Sequence, residues 1–374
     1  MPNPSRPILH EFFAGGGLAG MGLDGFETAF ANDIDPVKAA TWRANHAHPE
    51  RMVEGDVWGL SAADLPGKPD VAWASSPCQD VSLAGRRGGL AAPRSGAFWG
   101  FWRLIEALDG EGRAPRAVVL ENVMGLLSSN GGEDFRAVCE AMTGLGYRIG
   151  ALEIDAAGWV PQSRPRLFLI AARDPDWPTG ASGLFQTPRI RTAFEALPSP
   201  VKSNWIWWPM QAPPRRNADL AAALIPDSQA NWMGAVEAER LLAMMAPLHR
   251  ARLDAALATG ERRVGAAYRR VRTEQGRKVQ RLEARFDGLA GCLRTPAGGS
   301  SRQYVIVCEG GRARVRLLTG REAARLMGAP ERFILPRSQT QAIRLMGDAV
   351  AVPVARAIGE QILAPLLARV GMAA

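Results

Sequence analysis

Apolar positions in the first half of the chain form short dense runs, separated by glycine-rich turns and by stretches with helical spacing. That pattern predicts an α/β sheet. Residues 8–13 read as a first strand, turning at Gly15-Gly16-Gly17 into a helix. Residues 27–31 make a second strand, ending at Asn32-Asp33-Ile34-Asp35, and a third carboxyl edge falls at Gly55-Asp56-Val57. Residues 70–74 and 116–121 carry unbroken apolar cores at 71–74 and 117–120, as strands covered on both faces do. Residues 98–108 and 135–145 carry the spacing of helices, and 147–155 and 167–172 read as the last two strands. Beyond Asp174 the texture changes: prolines recur from Pro175 to Pro214, and Trp205, Trp207 and Trp208 cluster. A helical stretch over 235–258 follows, broken at Pro247, with Leu241, Leu242, Met245, Leu248 and Leu253 as its core-facing stripe. Residues 316–326 and 350–370 read as further helices.

Length and composition enlarge this picture. With 374 residues, 47% of them hydrophobic, the chain can bury one large and one smaller domain. Residues 1–6 hold no apolar signal region, and no uninterrupted apolar run approaches the ~18 residues of a membrane span. The four cysteines (Cys78, Cys139, Cys292, Cys308) lie far apart without zinc-ligand spacing, which suits a reducing, cytoplasmic compartment. A net charge of +8 and a pI near 9.9 are compatible with a polyanionic partner, although the skew from lysine to arginine also follows from genomic composition. The positive charge concentrates in a run from Arg262 to Arg285 that includes Arg269 and Arg270, with Tyr268 interleaved. Such a run is either a solvated face or a phosphate-contacting one.

Candidate chemistry centres on Ser75-Ser76-Pro77-Cys78-Gln79-Asp80-Val81-Ser82, where a strand runs out into a loop. A thiolate at a strand exit is a strong nucleophile, whereas a free cysteine read by position alone is more often a small buried hydrophobe. Two further polar sets follow strands or precede them: Glu121-Asn122-Val123, and Gln162-Ser163-Arg164-Pro165-Arg166. The glycine turn reads as a nucleotide-binding turn or a tight βα connection. Asp33, at the tip of the second strand, is placed to accept hydrogen bonds from ribose hydroxyls.

Pro77-Cys78-Gln79 with Ser82, Glu121-Asn122-Val123, and Gln162-x-Arg164-x-Arg166 resemble the signature blocks of the DNA (cytosine-5) methyltransferases. Phe13-Ala14-Gly15-Gly16-Gly17, the 316–326 block and Gly347-Asp348-Ala349-Val350 are similar to further blocks, in family order. Only about 174–285 has no counterpart. The resemblance implies a class I S-adenosylmethionine-dependent methyltransferase fold, α/β and Rossmann-like, with a mostly parallel seven-stranded sheet. It implies a discontinuous catalytic domain over 1–174 and 340–374, and a smaller target recognition domain with hinge over 175–339. Phe13, Gly15, Gly17, Asp33, Ile34, Asp56, Pro77 and Ala349 would then hold S-adenosylmethionine, with no metal. Cys78 would add to cytosine C6, Glu121 would donate to N3, and Arg166 with Arg164 would bind O2. Gln79, Ser82, Arg86, Arg87, Arg269 and Arg270 would contact DNA.

The chain departs from the family pattern at Leu18, where a second adjacent glycine is usual. It departs again at Ile34, where an aromatic often stacks on adenine, and at Asp348-Ala349, where Asn-Ser is usual. The implied partner is double-stranded DNA with the target cytosine flipped out, not a membrane. The implied enzyme is a stand-alone bacterial or phage-type monomer of the cytoplasm and nucleoid, with no regulatory region at either end and any cognate restriction endonuclease acting separately. The transfer-RNA branch of the fold carries a Cys-Phe-Thr tripeptide absent here. A catalytically inactive DNA-binding relative, or a Rossmann oxidoreductase, would have no use for Cys78, Glu121 and Arg166 together.

Overall fold

The fold is that of a computed structural model describing residues 6–77, 96–173, 183–214, 216, 218–294 and 302–370. Its contacts divide the chain into two units: 1–155 with 165–212 and 352–374, and 156–164 with 213–351. The first unit is built on β1 (Ile8–Phe12), β2 (Glu27–Asp33), β3 (Met52–Glu54), β4 (Val71–Ser75), β5 (Ala117–Asn122), β6 (Arg148–Asp155) and β7 (Pro165–Ala172). They form one seven-stranded sheet in the order β3-β2-β1-β4-β5-β7-β6, in which only β7 runs against its neighbours. This is the α/β sheet that the apolar runs predict, in the mostly parallel seven-stranded form that the resemblance implies. β2 continues to Asp33, past the end of its apolar run, because the Asn32 side chain donates to the Val53 and Gly55 carbonyls, both at 3.0 Å.

Helices α1 (Leu18–Gly22), α2 (Pro36–Asn45), α3 (Ala97–Gly110) and α4 (Glu133–Gly144) belong to this unit. The start of α2 is written in Asp35-Pro36. The Asp35 carboxylate accepts from the amides of Val37 (2.9 Å) and Lys38 (3.3 Å), and proline occupies the first turn, where no amide is needed. On α3, Phe98, Phe101, Trp102, Ile105 and Leu108 recur on one face and are buried against the sheet residues Phe12, Val118 and Leu120.

The tryptophan cluster, read from sequence as part of the variable segment, belongs to the core of this first unit. After α5 (Pro188–Glu195) and α6 (Ser199–Ser203), residues 204–206 hydrogen-bond to Ile149 on the edge strand β6. Trp205 and Trp208 are buried, and the Trp208 indole N–H donates to the Gly150 and Ile170 carbonyls at 3.2 Å. The segment thereby covers an edge that would otherwise expose unpaired backbone groups.

The C-terminal helices Val352–Ile358 and Ala364–Val370, joined by a π-helical turn, also belong here. They pack so closely on α1 that a Cβ at Gly22 would lie 2.5 Å from the Val352 carbonyl oxygen. Gln339–Ala368 has the length and hydropathy of a membrane span, and 67% of its most apolar window is buried.

The second unit holds α7 (Leu220–Ala223), α8 (Ala235–Leu242), α9 (Pro247–Ala258), α10 (Gly320–Leu326) and α11 (Gln339–Asp348). Its antiparallel sheet, in the order β11-β10-β8-β9, comprises β8 (Arg263–Glu274), β9 (Arg277–Arg285), β10 (Gln303–Glu309) and β11 (Arg312–Leu317). Leu241, Met245 and Leu253 of the predicted stripe are buried against Leu282 and Ile306, while Leu248 is exposed. The helix expected over 316–326 is shorter. Arg316 and Leu317 finish β11, and α10 begins at Gly320 behind a capping box in which Thr319 and Glu322 hold each other's backbone N–H.

Candidate active site and nucleic-acid interface

The carboxyl ends of β1 and β2 hold the glycine turn. Phe13 takes a left-handed φ of 54° and Gly15 one of 57°. The Gly15 amide donates to Asp33 Oδ2 at 2.8 Å, while Asp33 Oδ1 accepts from the Asp35 amide at 2.9 Å. Burial raises the Asp33 pKa, against the pull of Lys38 and of these two amides. Each carboxylate oxygen retains a lone pair beyond its amide bond. Gly17, at φ 81°, is demanded by space as well: a Cβ there would stand 2.0 Å from His46 Nε2 and 2.7 Å from Trp42. Trp42 and His46 are stacked at 4.0 Å, and desolvation lowers the His46 pKa to about 4. Leu18, in place of a glycine, opens α1 and is buried.

This edge suits the nucleoside end of a methyl donor. Space is open beside Gly15, with no atom within 4 Å of the position a Cβ would take. Asp56 is exposed just past β3, with Oδ1 accepting the Trp58 amide at 3.0 Å. Ile34 is 63% exposed and offers an apolar surface without a ring.

A second cluster lies at the same edge of the sheet. β4 ends at Ser75, which pairs in register with Glu121 of β5. Ser76 is buried, its hydroxyl accepting from Asn122 Nδ2 at 3.1 Å, and Pro77 follows exposed. Because β7 runs against β5, its first residues lie beside the last residues of β5, with Asn122 opposite Leu167. Arg166 Nε therefore reaches Glu121 Oε1 at 3.1 Å, and both side chains are largely enclosed, 15% and 7% exposed. Cys78, Gln79, Ser82, Arg86 and Arg87 lie outside the described residues.

Arg164 stands apart from Arg166 in its contacts. It is buried in the second unit, where it donates to the carbonyls of Leu293 (3.2 Å), Gly347 (3.0 Å) and Ala349 (2.6 Å). Gln162, fully buried, accepts the Leu293 amide at 3.0 Å and donates to the Leu326 carbonyl at 2.8 Å. These two side chains of the Gln-x-Arg-x-Arg block fasten three chain segments of that unit. Ala349, expected at the cofactor, is described there as an acceptor for Arg164.

The arginine run resolves into a hairpin. Arg269 and Arg270 lie on β8, each within 6 Å of an aromatic centroid, Tyr304 for Arg269 (5.9 Å) and Tyr268 for Arg270 (5.8 Å). Arg270 and Arg272 share Glu283 across the ladder, and Arg281 pairs with Glu274. These pairs are partly buried, with Glu283 19% exposed, and they hold the arginines in register along the hairpin. A cleft of about 750 Å³ opens between α9 and this sheet, lined by Arg252, Arg263, Arg270 and Arg285 beside Tyr268 and Phe286.

Sequence reasoning missed Glu11. It sits on β1 with Oε1 accepting from the Gly20 amide (3.1 Å) and Oε2 from Trp42 Nε1 (3.4 Å). Desolvation, opposed by these two bonds, raises its pKa to about 7. The signal was present: a glutamate among apolar neighbours in a strand otherwise read as buried.

The sequence profile of the C-5 cytosine-specific DNA methylases matches residues 9–364. Type II methyltransferase M.NlaX of Neisseria lactamica is 27% identical over 373 residues, covering 96% of each chain. Type II methyltransferase M.PspPI of Psychrobacter sp. (strain TA137) is 33% identical over 175 residues, 46% of this chain and 41% of that protein. Among solved structures, S. pombe Dnmt2 methyltransferase superposes with a TM-score of 0.61 at 17% identity, over 96% of this chain and 99% of that one. A putative DNA modification methyltransferase encoded within an E. coli prophage gives 0.54 at 20%, over 97% and 99%. At those identities the structures speak for the fold alone. With the profile spanning nearly the whole sequence, the chain belongs to the C-5 cytosine-specific DNA methylase family and is a DNA (cytosine-5) methyltransferase.

Proposed function

We propose that the enzyme methylates cytosine C5 in a specific duplex sequence through covalent addition of Cys78, with S-adenosylmethionine as methyl donor. The observation that carries this reading is the enclosed Glu121–Arg166 pair, at 3.1 Å, beside the strand exit that leads through Ser76 and Pro77 to Cys78. Cytosine C5 is a weak nucleophile. Addition of the Cys78 thiolate to C6 breaks the C5–C6 double bond and makes C5 electron-rich. Glu121 supplies a proton or hydrogen bond at N3 as negative charge develops there, and Arg166 holds both Glu121 and the exocyclic carbonyl oxygen O2. When bound, the cofactor supplies the methyl group. A base then removes the C5 proton, N3 gives its proton back to Glu121, and the C6–S bond breaks to release the Cys78 thiolate and restore the C5–C6 double bond. Asp33, the glycine turn with Phe13, Ile34, Asp56 and Pro77 hold the donor. Arg164 is a positioning residue, since its guanidinium binds backbone carbonyls.

The target is flipped out of the duplex, and the second unit reads the flanking bases while Arg269 and Arg270 meet phosphate. The type II names of its relatives suit an enzyme that acts separately from any cognate endonuclease, and this reading takes it as a monomer of the bacterial cytoplasm.

DNA carrying 5-fluorocytosine tests the chemistry, because fluorine cannot leave as a proton does. The wild type should form a denaturation-resistant adduct in the presence of S-adenosylmethionine, and Cys78→Ala should form none. Equal trapping by Cys78→Ala would overturn the assignment.

A further inference from the structure

Large apolar side chains left open at the rim of a ligand crevice suggest what covers them. In the sheet unit, Ile34, Trp58 and Leu184 are the large apolar residues exposed among the described ones. Two of these three follow the carboxyl ends of the hydrogen-bonded neighbours β2 and β3. Asp33 pairs with Glu54, so Ile34 and the 55–58 turn leave the sheet side by side. Asn32 Nδ2 pins that turn through the Gly55 carbonyl, and Asp56 Oδ1 fixes the Trp58 amide.

The indole is held firmly from one side. Gly100 of α3 lets it approach: a Cβ there would stand 3.0 Å from the Trp58 ring. The Arg103 guanidinium carbon lies 5.7 Å from the ring centroid, and Arg103 Nη2 donates to the carbonyls of Trp58 (3.2 Å) and Leu60 (2.7 Å). Yet Trp58 remains 49% exposed. A ring already ordered by its neighbours loses little conformational freedom when a ligand covers it. Asp56, two residues before it, has an exposed carboxylate suited to an exocyclic amine.

We propose that Trp58 is the aromatic wall of the cofactor's adenine site, a positioning residue that supplies the ring contact Ile34 cannot give. This rests on reading the β2/β3 edge as the methyl-donor pocket. The test is calorimetric titration of the full-length protein with S-adenosylhomocysteine and, separately, with adenosine. The proteins compared are the wild type, Trp58→Leu, Trp58→Phe and Asp33→Ala.

Trp58→Leu keeps apolar bulk against α3 but removes the ring. It should weaken both ligands by the same factor, about 2- to 12-fold, the range of one aromatic contact. Trp58→Phe should recover most of that loss. Wild-type affinity in Trp58→Leu, with Asp33→Ala weakened, would overturn the proposal and leave the pocket reading intact. No change in either variant would remove both. A loss in Trp58→Leu that Trp58→Phe fails to recover would assign Trp58 a merely structural role and overturn the proposal.

Discussion

Glu11 makes the pH dependence of stability a direct test of the buried site beneath the glycine turn. Its carboxylate is enclosed between the Gly20 amide and the Trp42 indole, and burial moves its pKa from 4.5 to about 7. The folded protein therefore retains a proton that the unfolded chain releases between those two values. Stability from this group is fully present below about pH 4.5 and is lost as pH rises through about 7. At 1.36 kcal/mol per pH unit, and with the titration curves of both states included, the loss between pH 5 and pH 8 comes to about 2–3 kcal/mol. Glu11→Gln has no proton to lose. Its neutral amide can still accept from Gly20, at the cost of an N–H facing Trp42.

The assay is urea unfolding of both cofactor-free proteins at pH 5, 6, 7 and 8. His10 and His46, each lowered to about 4 by desolvation, give a slope of opposite sign between about 4 and 6.5. That slope is common to both proteins, so the difference between them reports Glu11 together with its coupling to the Asp33 charge. The variant should gain about 2–3 kcal/mol on the wild type from pH 5 to pH 8. Parallel stability curves would refute the reasoning.

Glu121→Gln should bind DNA and S-adenosylmethionine as the wild type does, but lose ~10²–10⁴-fold in single-turnover methyl transfer; a near wild-type rate would end its assignment as the N3 donor. Replacing Arg269 and Arg270 together by glutamine should weaken binding to all duplexes and flatten the log–log salt dependence by ~1–2 units; an altered target pattern instead would make them base readers. Arg316→Met leaves Glu322, which is fully enclosed and also accepts the Ile225 amide at 2.9 Å, without its partner. Chemical denaturation should show a loss of about 3–5 kcal/mol, and Arg316→Met with Glu322→Gln should recover part of it.

The parts of the fold legible in sequence are those with an unambiguous apolar pattern or a clear breaker. The strands through Leu120 and Ile170 are apolar on both faces, and Pro247 splits the 235–258 helix into α8 and α9. The hairpin of β8 and β9 escaped because arginines on both faces hide its period of two. Its turn was nevertheless written in Gln275-Gly276, which take φ of 48° and 78° between the paired residues Glu274 and Arg277. Positive φ at both central residues is what a two-residue hairpin turn requires. Arg316 was assigned to a helix because no local signal shows that a buried guanidinium will pair with Glu322, six residues on. The tryptophans at 205–208 read as part of the variable segment until the uncovered edge of β6 is known, and that is a tertiary fact.

The candidate site was legible by residue type but not by geometry. Gln162, Arg164 and Arg166 alternate along the chain and look alike in sequence, yet Arg166 pairs with Glu121 while Gln162 and Arg164 donate to backbone carbonyls of the second unit. The reason is the direction of one strand. Were β7 parallel to β5, its first residues would lie at the amino edge of the sheet, far from Glu121. Running antiparallel, β7 begins where β5 ends, so a short reach joins the two charges. Register matters as much: a slip of one residue would turn Arg166 to the opposite face of the sheet and put Leu167 in its place. Burial specifies the register strongly, because Leu167, Phe168, Leu169 and Ile170 are all enclosed and each would have to be repacked. The apolar core of β7 thus sets the position of the cationic group to which the proposed chemistry assigns the O2 contact. An interior substitution that shifts the register should abolish Glu121–Arg166 pairing, and with it methyl transfer, without altering either charged residue.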